Sequence, residues 1–226
     1  MMCDGLFLST MLDQLIAFDK QLLLQVNGSE SLYLDHLVRI LTTATTWIPL
    51  YLSLFYIVIR NNETALKIFL VLLGAGLCVL VAGALDDTFV KPTVARWRPT
   101  HDPEIGLLVD IVDGYRGGKY GFFSAHASNT FSIAIFFCWL VRNKLLSGAM
   151  IIWSLTNCYT RLYLGVHYPG DILVGLTWGF IVGTSVYFLI RRLTPGRIKY
   201  NPSDANIPVA VMVYTLIYAL IKACFV

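Results

Sequence analysis

Three short motifs in the middle of the chain carry side chains that suit an oxyanion ligand. They are Lys91 and Arg98 in the first motif, Ser124, Ala125 and His126 in the second, and Arg161, His167 and Asp171 in the third. Together they supply three permanent cations, a hydroxyl, two imidazoles and a carboxylate. Arginine grips two phosphate oxygens through its planar fork, and lysine adds a point charge. The motifs therefore predict a phosphate-binding site.

The third motif predicts a nucleophile. Asp171 follows Pro169-Gly170, where a new helix is expected to start, so its carboxylate would lie in a first turn that the helix dipole favours. The carboxylate can accept a hydrogen bond from one nitrogen of His167 and leave the other nitrogen free to attack. On this motif alone, a capping aspartate beside a surface histidine stays an open alternative.

The second motif opens a long apolar run. Free backbone N–H groups at the start of a helix attract an anion, Ser124 adds a hydroxyl, and the small Ala125 lets the backbone approach closely. His126 is placed to donate a proton. The alternative is an ordinary serine N-cap beside an interfacial histidine.

The first motif lies at the edge of an apolar run. Lys91 and Arg98 are seven residues apart, so two turns of helix would place them on one face. The alternative is a pair of basic residues that meets anionic lipid headgroups. Arg96 and Trp97 are interpreted as interface anchors.

The composition places the chain in a membrane. Of its 226 residues 57% are hydrophobic and only 14% are charged, against about 25% in soluble domains. The net charge of +3 is small and no nucleic-acid-binding motif is present, so we predict no nucleic-acid partner. We also infer no obligatory protein partner. The five cysteines have no metal-ligand spacing and are interpreted as small buried hydrophobes. We expect no metal and no cofactor.

Apolar runs predict an all-α, polytopic bundle of about six transmembrane helices. The predicted spans cover residues 38–59, 65–85, 124–141, 145–163, 171–190 and 207–225. Residues 6–26 mix apolar and charged side chains, which predicts an amphipathic helix in the membrane interface. The chain 1–226 is then a single integral-membrane domain with its motifs within 91–171.

Six spans would place all three motifs on one face of the membrane. The other face would receive Arg60, Arg142, Lys144, Arg191, Arg192, Arg197 and Lys199. The positive-inside rule makes that other face cytoplasmic. The motif face also carries Lys91, Arg96, Arg98, Arg116 and Lys119, so the assignment depends on reserving those cations for a ligand. We predict a multi-pass protein of the plasma (inner) membrane with an extracytoplasmic or periplasmic site.

In order and spacing, the three motifs resemble the type 2 phosphatidic acid phosphatase superfamily, which includes membrane lipid phosphatases and soluble vanadium haloperoxidases. The small six-span layout resembles bacterial members. Ala125 stands where the family commonly has glycine, and Thr160 where it commonly has serine. Both changes keep the groups that the site needs, since threonine retains a hydroxyl and alanine remains small.

The resemblance implies a role for each motif residue. His167 would attack phosphorus and form a phosphohistidine, Asp171 would orient His167, and His126 would protonate the leaving oxygen and later activate water. The phosphate oxygens would be held by Lys91, Arg98, Ser124, Ala125 and Arg161. The three cations would then neutralise the phosphate without a metal.

The resemblance also implies the class of substrate, a lipid phosphate or diphosphate. Candidates are undecaprenyl diphosphate, lipid A phosphate, phosphatidic acid and phosphatidylglycerol phosphate, with the first two favoured. A lipid phosphotransferase that uses the same intermediate remains an alternative. A non-enzymatic transporter is less favoured, because no paired broken helices are evident. A haloperoxidase is disfavoured, because those relatives are soluble.

Overall fold

The computed structural model describes residues 2–196 and 199–225, with their side chains from Thr10 onwards. Within these residues the regular structure is helical, and the one β-type pairing is an isolated bridge between Trp97 and Tyr120. The all-α prediction is confirmed. Arg197, one of the predicted cytoplasmic cations, lies outside the described residues.

The described residues form nine α-helices, several of which begin at a side-chain N-cap. They are α1 Met2–Val26, α2 Leu32–Thr42, α3 Ile48–Asn61, α4 Ala65–Val79, α5 Lys91–Val94, α6 Ala125–Val141, α7 Lys144–Tyr163, α8 Pro169–Leu193 and α9 Asn206–Lys222. A serine, threonine or asparagine oxygen accepts a hydrogen bond from a free N–H of the first turn. Ser31 caps α2 in this way, Thr64 caps α4, Ser124 caps α6 and Asn143 caps α7.

Helices α4 and α5 belong to one continuous helix, Ala65–Val94, of 30 residues. The π-helical turns Leu80–Ala84 and Asp86–Val90 lie between them. The helix continues past the predicted end of the second span and carries Lys91 in its last turn. It ends at Ala95, which has a left-handed conformation with φ of 50°. Lys91 and Arg98 therefore do not share a helix face, and that prediction is wrong.

The first predicted span, residues 38–59, is broken. Helix α2 ends at Thr42, a 3-10 turn covers Ala44–Trp47, and α3 continues after a bend of 67°. Pro49 lies in the first turn of α3, where its missing N–H costs no helical hydrogen bond. The bend sets the direction in which the end of α2 faces the rest of the bundle.

In the described part of the chain, two helices are long and apolar enough to cross a membrane, Ala65–Val94 and Pro169–Leu193. Helices α2 and α3 make a third if the bent pair is one span, and α6 and α9 are shorter apolar helices. Helix α7 keeps polar side chains inside the protein, among them Ser154 and Asn157. The structure thus supports two to three spans, and the count of six stays a prediction.

Helices α6 and α8 pack closely through small residues. Every fourth residue of α8 is a glycine over two turns, and each faces a serine that caps or belongs to α6: Gly175 with Ser124, Gly179 with Ser128 and Gly183 with Ser132. A Cβ atom on Gly179 would lie 2.7 Å from the carbonyl oxygen of Ser128. Small residues in this pattern let two helix backbones approach each other in a membrane. The packing fixes the register between the two helices that begin at the motifs.

We expect Gly179→Ala to destabilise the protein by about 1–3 kcal/mol, because the added methyl group meets backbone and not a flexible side chain. Gly76 on α4 is a matched control, since an added Cβ there meets no atom within 4 Å. Gly76→Ala should be neutral or stabilise by up to about 1 kcal/mol, because alanine favours a helix more than glycine does. Thermal unfolding of both variants in one detergent measures the difference. Equal melting temperatures would contradict the close approach of α6 and α8.

Candidate active site

The motif residues lie where helices begin or end. Lys91 is in α5, Ser124 caps α6, Arg161 is in the last turn of α7 and Asp171 is in the first turn of α8. The backbone N–H of Ser124 donates to the carbonyl oxygen of Asp171 at 3.2 Å, which joins the starts of α6 and α8. The structure thus brings separate motifs to one end of the bundle.

His167 lies in the turn between α7 and α8, and only 1% of its surface is exposed. Its Nε2 atom is 3.0 Å from Nη1 of Arg98. The Arg98 guanidinium also donates to the carbonyl oxygens of Tyr120, at 3.1 Å, and Val166, at 3.0 Å. A Cβ on Gly121 would lie 2.9 Å from Cγ of Arg98, so a glycine there leaves room for that side chain. The backbone holds a cation next to one imidazole nitrogen.

The other nitrogen of His167 faces Asp171. Nδ1 is 3.5 Å from Oδ2 of Asp171, and it has no hydrogen-bond partner. The predicted hydrogen bond is therefore longer than a normal one, although the expected two atoms face each other. Oδ2 accepts instead from the backbone N–H of Tyr168 at 3.0 Å. Such bonds often shorten when a substrate binds, so a small rotation of the imidazole would complete the pair.

The charges around His167 keep it neutral. Burial holds the pKa of His167 well below its usual range, and the positive charges of Arg98, Arg161 and Lys91 lower it further. Burial, followed by Arg161, also lowers the pKa of Arg98. Because the imidazole is unprotonated at pH 7, it retains the lone pair that a nucleophile needs. All three predicted cations are thus close enough to act on one histidine.

Arg161 is buried and held from two sides. Its Nη1 donates to Oγ1 of Thr42 at 2.7 Å, and its Nη2 donates to the hydroxyl of Tyr115 at 3.0 Å. Its Nε has no hydrogen-bond partner. Thr42 ends α2, just before the bend, and Tyr115 lies in the glycine-rich loop before α6. No sequence signal marks either residue, and both were missed.

Lys91 is paired with two carboxylates. Its Nζ is 2.8 Å from Oδ2 of Asp86 and also contacts Asp87. Asp86 is fully buried and accepts a hydrogen bond from the backbone N–H of Phe123 at 3.1 Å. The ammonium is therefore fixed to the segment that precedes Ser124. Asp86 and Asp87 directly follow the predicted second span, residues 65–85, and the sequence analysis gave them no role in the site.

Ser124 and Ala125 start α6 as predicted. Ser124 is fully buried, and its Oγ accepts a hydrogen bond from the N–H of Ala127 at 3.4 Å, as an N-cap does. Ala125 is the first residue of the helix. Their role in holding phosphate stays a prediction.

His126 follows in the first turn of α6 and lines a cavity of about 290 Å³. The cavity wall is mostly apolar and includes Trp47, Tyr51 and Ile133. Thr42, whose hydroxyl accepts a hydrogen bond from Arg161, lines the same cavity, so His126 lies near the third motif. The structure thus puts an acid–base candidate between the site and an apolar space.

Arg96 contacts the third motif directly. Its Nη1 is 2.7 Å from Oδ1 of Asp171, and its Nη2 is 2.7 Å from Oδ2 of Asp19 in α1. The interpretation of Arg96 as an interface anchor is therefore wrong, because its guanidinium forms ion pairs with two carboxylates inside the protein. The sequence gives no signal for this contact, since the partners lie 75 and 77 positions away.

The comparison with protein families agrees with the geometry. Residues 64–195 match the model of the PAP2 superfamily, and this range contains all three motifs. The chain belongs to the PAP2 superfamily. The resemblance to type 2 phosphatidic acid phosphatases is thereby confirmed.

Two relatives share most of the chain, and a third shares half of it. The lipid A 4'-phosphatase of Bacteroides thetaiotaomicron is 37% identical, over 94% of this chain and 100% of that protein. The lipid A 4'-phosphatase of Porphyromonas gingivalis is 36% identical, over 78% of this chain and 74% of that protein. The decaprenylphosphoryl-5-phosphoribose phosphatase of Mycobacterium tuberculosis is 33% identical, over 50% of this chain and 58% of that protein. No solved structure matches the chain significantly. The protein is a membrane phosphatase.

Proposed function

We propose that this protein hydrolyses a lipid phosphate and that its substrate is lipid A, from which it removes the 4'-phosphate. Two relatives that match 94% and 78% of this chain are both lipid A 4'-phosphatases. Among the lipids that the motifs suggested, these relatives favour lipid A over undecaprenyl diphosphate, phosphatidic acid and phosphatidylglycerol phosphate. The binding partner that this proposal implies is the lipid substrate itself.

The mechanism is supported above all by Nε2 of His167, which lies 3.0 Å from the guanidinium of Arg98. Nε2 attacks phosphorus, so that an N–P bond forms and the P–O bond to the lipid breaks. His126 gives its proton to the leaving oxygen. Lys91, Arg98 and Arg161 stabilise the charge on the phosphoryl oxygens, with Ser124 and the backbone N–H of Ala125 at the start of α6.

The second half of the reaction returns the enzyme to its starting state. Water attacks the phosphohistidine while His126 takes a proton from it, the N–P bond breaks, and inorganic phosphate leaves. Asp171 accepts the Nδ1 proton of His167 as a hydrogen bond and stabilises the positive ring of the intermediate. The three permanent cations neutralise the negative charge of the phosphoryl group, which a metal ion does in other phosphatases. We therefore propose a metal-independent reaction.

A phosphate-release assay tests this function. Purified protein in mixed micelles, with EDTA present, should release phosphate from lipid A and none from lipid A that lacks the 4'-phosphate. Faster release from undecaprenyl diphosphate or a phosphatidyl lipid would reject the substrate, and loss of activity in EDTA would reject the metal-independent reaction. Transfer of phosphate to an added alcohol in preference to water would identify a phosphotransferase.

We further propose that the chain 1–226 forms one domain with six spans. The spans would be α2 with α3, α4 with α5, and then α6, α7, α8 and α9, with α1 in the interface. This count is supported by the motif residues at one end of the bundle and by a separate set of polar contacts made by residues of the predicted cytoplasmic loops. Among these contacts, Arg60 pairs with Asp204 at 3.1 Å, and Nη2 of Arg142 donates to the hydroxyl of Tyr187 at 3.1 Å.

This arrangement would open the site to the outside of the plasma (inner) membrane, which is the periplasm in a Gram-negative cell. With the native cysteines replaced, Gly118→Cys should react with an impermeant thiol reagent in intact cells. Gly118 suits the test because an added Cβ there meets no atom within 4 Å. Lys144→Cys, at an exposed position that starts α7, should react only after the cells are opened. The reverse pattern would overturn the orientation, and labelling of both in intact cells would overturn the six-span count.

A further inference from the structure

We propose that Arg96 and Asp19 are positioning residues that hold the Asp171 carboxylate against His167, so that helix α1 forms part of the active site. The inference rests on the proposed function, in which His167 is the nucleophile and Asp171 its partner. Neither Arg96 nor Asp19 contacts the reacting atoms in that mechanism. Both act through Asp171.

The Asp171 carboxylate is fully buried, and its two oxygens have different partners. Oδ1 is 2.7 Å from Nη1 of Arg96, while Oδ2 accepts the N–H of Tyr168 and faces Nδ1 of His167. Among the described residues, Arg96 is the only permanently charged cation within ion-pair distance of the Asp171 carboxylate. A buried carboxylate that loses its cation is strongly destabilised. Arg96 therefore favours the charged form of Asp171 and fixes the direction of the oxygen that faces His167.

Asp19 fixes Arg96 in turn. Its Oδ2 is 2.7 Å from Nη2 of Arg96, and its Oδ1 accepts the backbone N–H of Gly170 at 2.7 Å. The Arg96 guanidinium also lies over the ring of Tyr168, 4.2 Å from its centroid. The guanidinium is thus held by two carboxylates and one aromatic face. Asp19 also joins α1 to the first turn of α8, which carries Asp171.

Two further polar links attach α1 to the same end of the bundle. Nζ of Lys20 is 3.0 Å from Oδ2 of Asp102, which accepts a hydrogen bond from the hydroxyl of Tyr168 at 2.6 Å. The side chain of Asn27 donates to the carbonyl oxygen of Tyr163 at 2.8 Å. Helix α1 precedes residues 64–195, the part that matches the family model. Asp19 therefore lies outside the part that matches the family model, while its partners Arg96 and Gly170 lie inside it.

The test measures kcat and KM for phosphate release from lipid A in mixed micelles. We expect Arg96→Ala to lower kcat by roughly 10- to 100-fold, as loss of a residue that orients a reacting group does, with KM unchanged. Arg96→Lys should restore part of kcat, and added guanidinium ion should restore part of it in Arg96→Ala. Asp19→Asn should lower kcat by less. The matched control is Asp13→Asn, the same change at an exposed position of α1, which should leave kcat unchanged.

A double mutant separates positioning from general damage. If Arg96 acts through Asp171, Arg96→Ala should cost nothing further in an Asp171→Asn background. Independent, multiplying losses would overturn the proposal, as would a raised KM with an unchanged kcat. If Arg96→Ala does not fold, the test relies on Arg96→Lys and Asp19→Asn. A kcat equal to that of Asp13→Asn in both variants would overturn the proposal.

The same variants distinguish failure of this inference from failure of the proposed function. Reduced kcat in Asp171→Asn together with full activity in Arg96→Ala would overturn only the positioning role. Full activity in Asp171→Asn would overturn the proposed mechanism and the positioning role with it.

Discussion

His167→Ala is expected to lower kcat for phosphate release at least about 10⁴-fold, the scale of loss when an enzyme is deprived of its covalent nucleophile. The buried imidazole faces Arg98 through Nε2 and Asp171 through Nδ1. Its loss removes the group that forms the N–P bond in the proposed mechanism. The same variant should yield no acid-labile phosphoenzyme on rapid quenching with phosphorus-labelled lipid, whereas the unaltered protein should yield one.

The control for this variant is His36→Ala, which removes a histidine in α2 that belongs to none of the three motifs. It should retain activity and a phosphoenzyme. Size-exclusion chromatography and thermal unfolding should show that both variants are folded. A phosphoenzyme in His167→Ala, or turnover near that of His36→Ala, would rule out His167 as the nucleophile.

Arg98→Ala is expected to lower kcat/KM by about 10²–10³-fold, equivalent to about 3–4 kcal/mol of transition-state stabilisation. The Arg98 guanidinium is fixed by two carbonyl oxygens and lies next to Nε2 of His167, where the phosphoryl oxygens would develop charge. Arg161→Ala should cause a similar loss, because its buried guanidinium acts on the same histidine. Vanadate, which mimics the transferring phosphoryl group, should inhibit the unaltered protein and inhibit both variants more weakly.

Lysine substitution tests whether the geometry of the cation matters. Arg98→Lys should recover only part of the activity, because a point charge does not reproduce the two-oxygen grip of a guanidinium. The matched control is Arg116→Ala, an exposed arginine whose side chain donates to the carbonyl oxygen of Thr100. It should leave kcat/KM unchanged. Full activity in Arg98→Ala would show that this arginine serves as a lipid anchor and not as a phosphate ligand.

Local signals in the sequence were sufficient for the helices that carry the motifs. The third to fifth predicted spans begin at residues 124, 145 and 171, and the helices begin at Ala125, Lys144 and Pro169. Such starts are predictable because an N-cap side chain and the N–H that it binds lie within the same turn. The three motifs were likewise readable, because the side-chain types and their spacing do not depend on the rest of the fold.

The region around Arg98 shows where the sequence was insufficient. A spacing of seven residues predicted that Lys91 and Arg98 share a helix face, but the helix ends at Ala95 in a left-handed conformation. Pro99 disfavours a helical conformation at Arg98 and so indicates a helix end nearby, but it does not place that end at Ala95, since alanine itself favours a helix. The ending turns Arg98 away from the helix and towards the carbonyl oxygens of Tyr120 and Val166, which fix it beside His167.

The chain by itself thus determined the class of fold, the motif residues, the starts of their helices and a phosphatase that acts at a membrane. Only the tertiary structure decided which groups support those residues. Arg96 and Asp19 lie 77 positions apart, and Thr42 and Arg161 lie 119 positions apart. Contacts at such separations depend on how whole helices pack, and in particular on the bend after α2 and the docking of α1. Local sequence patterns predict neither the bend nor the docking of α1. Hydrogen bonds within a helix join nearby residues, whereas the packing of helices joins distant ones.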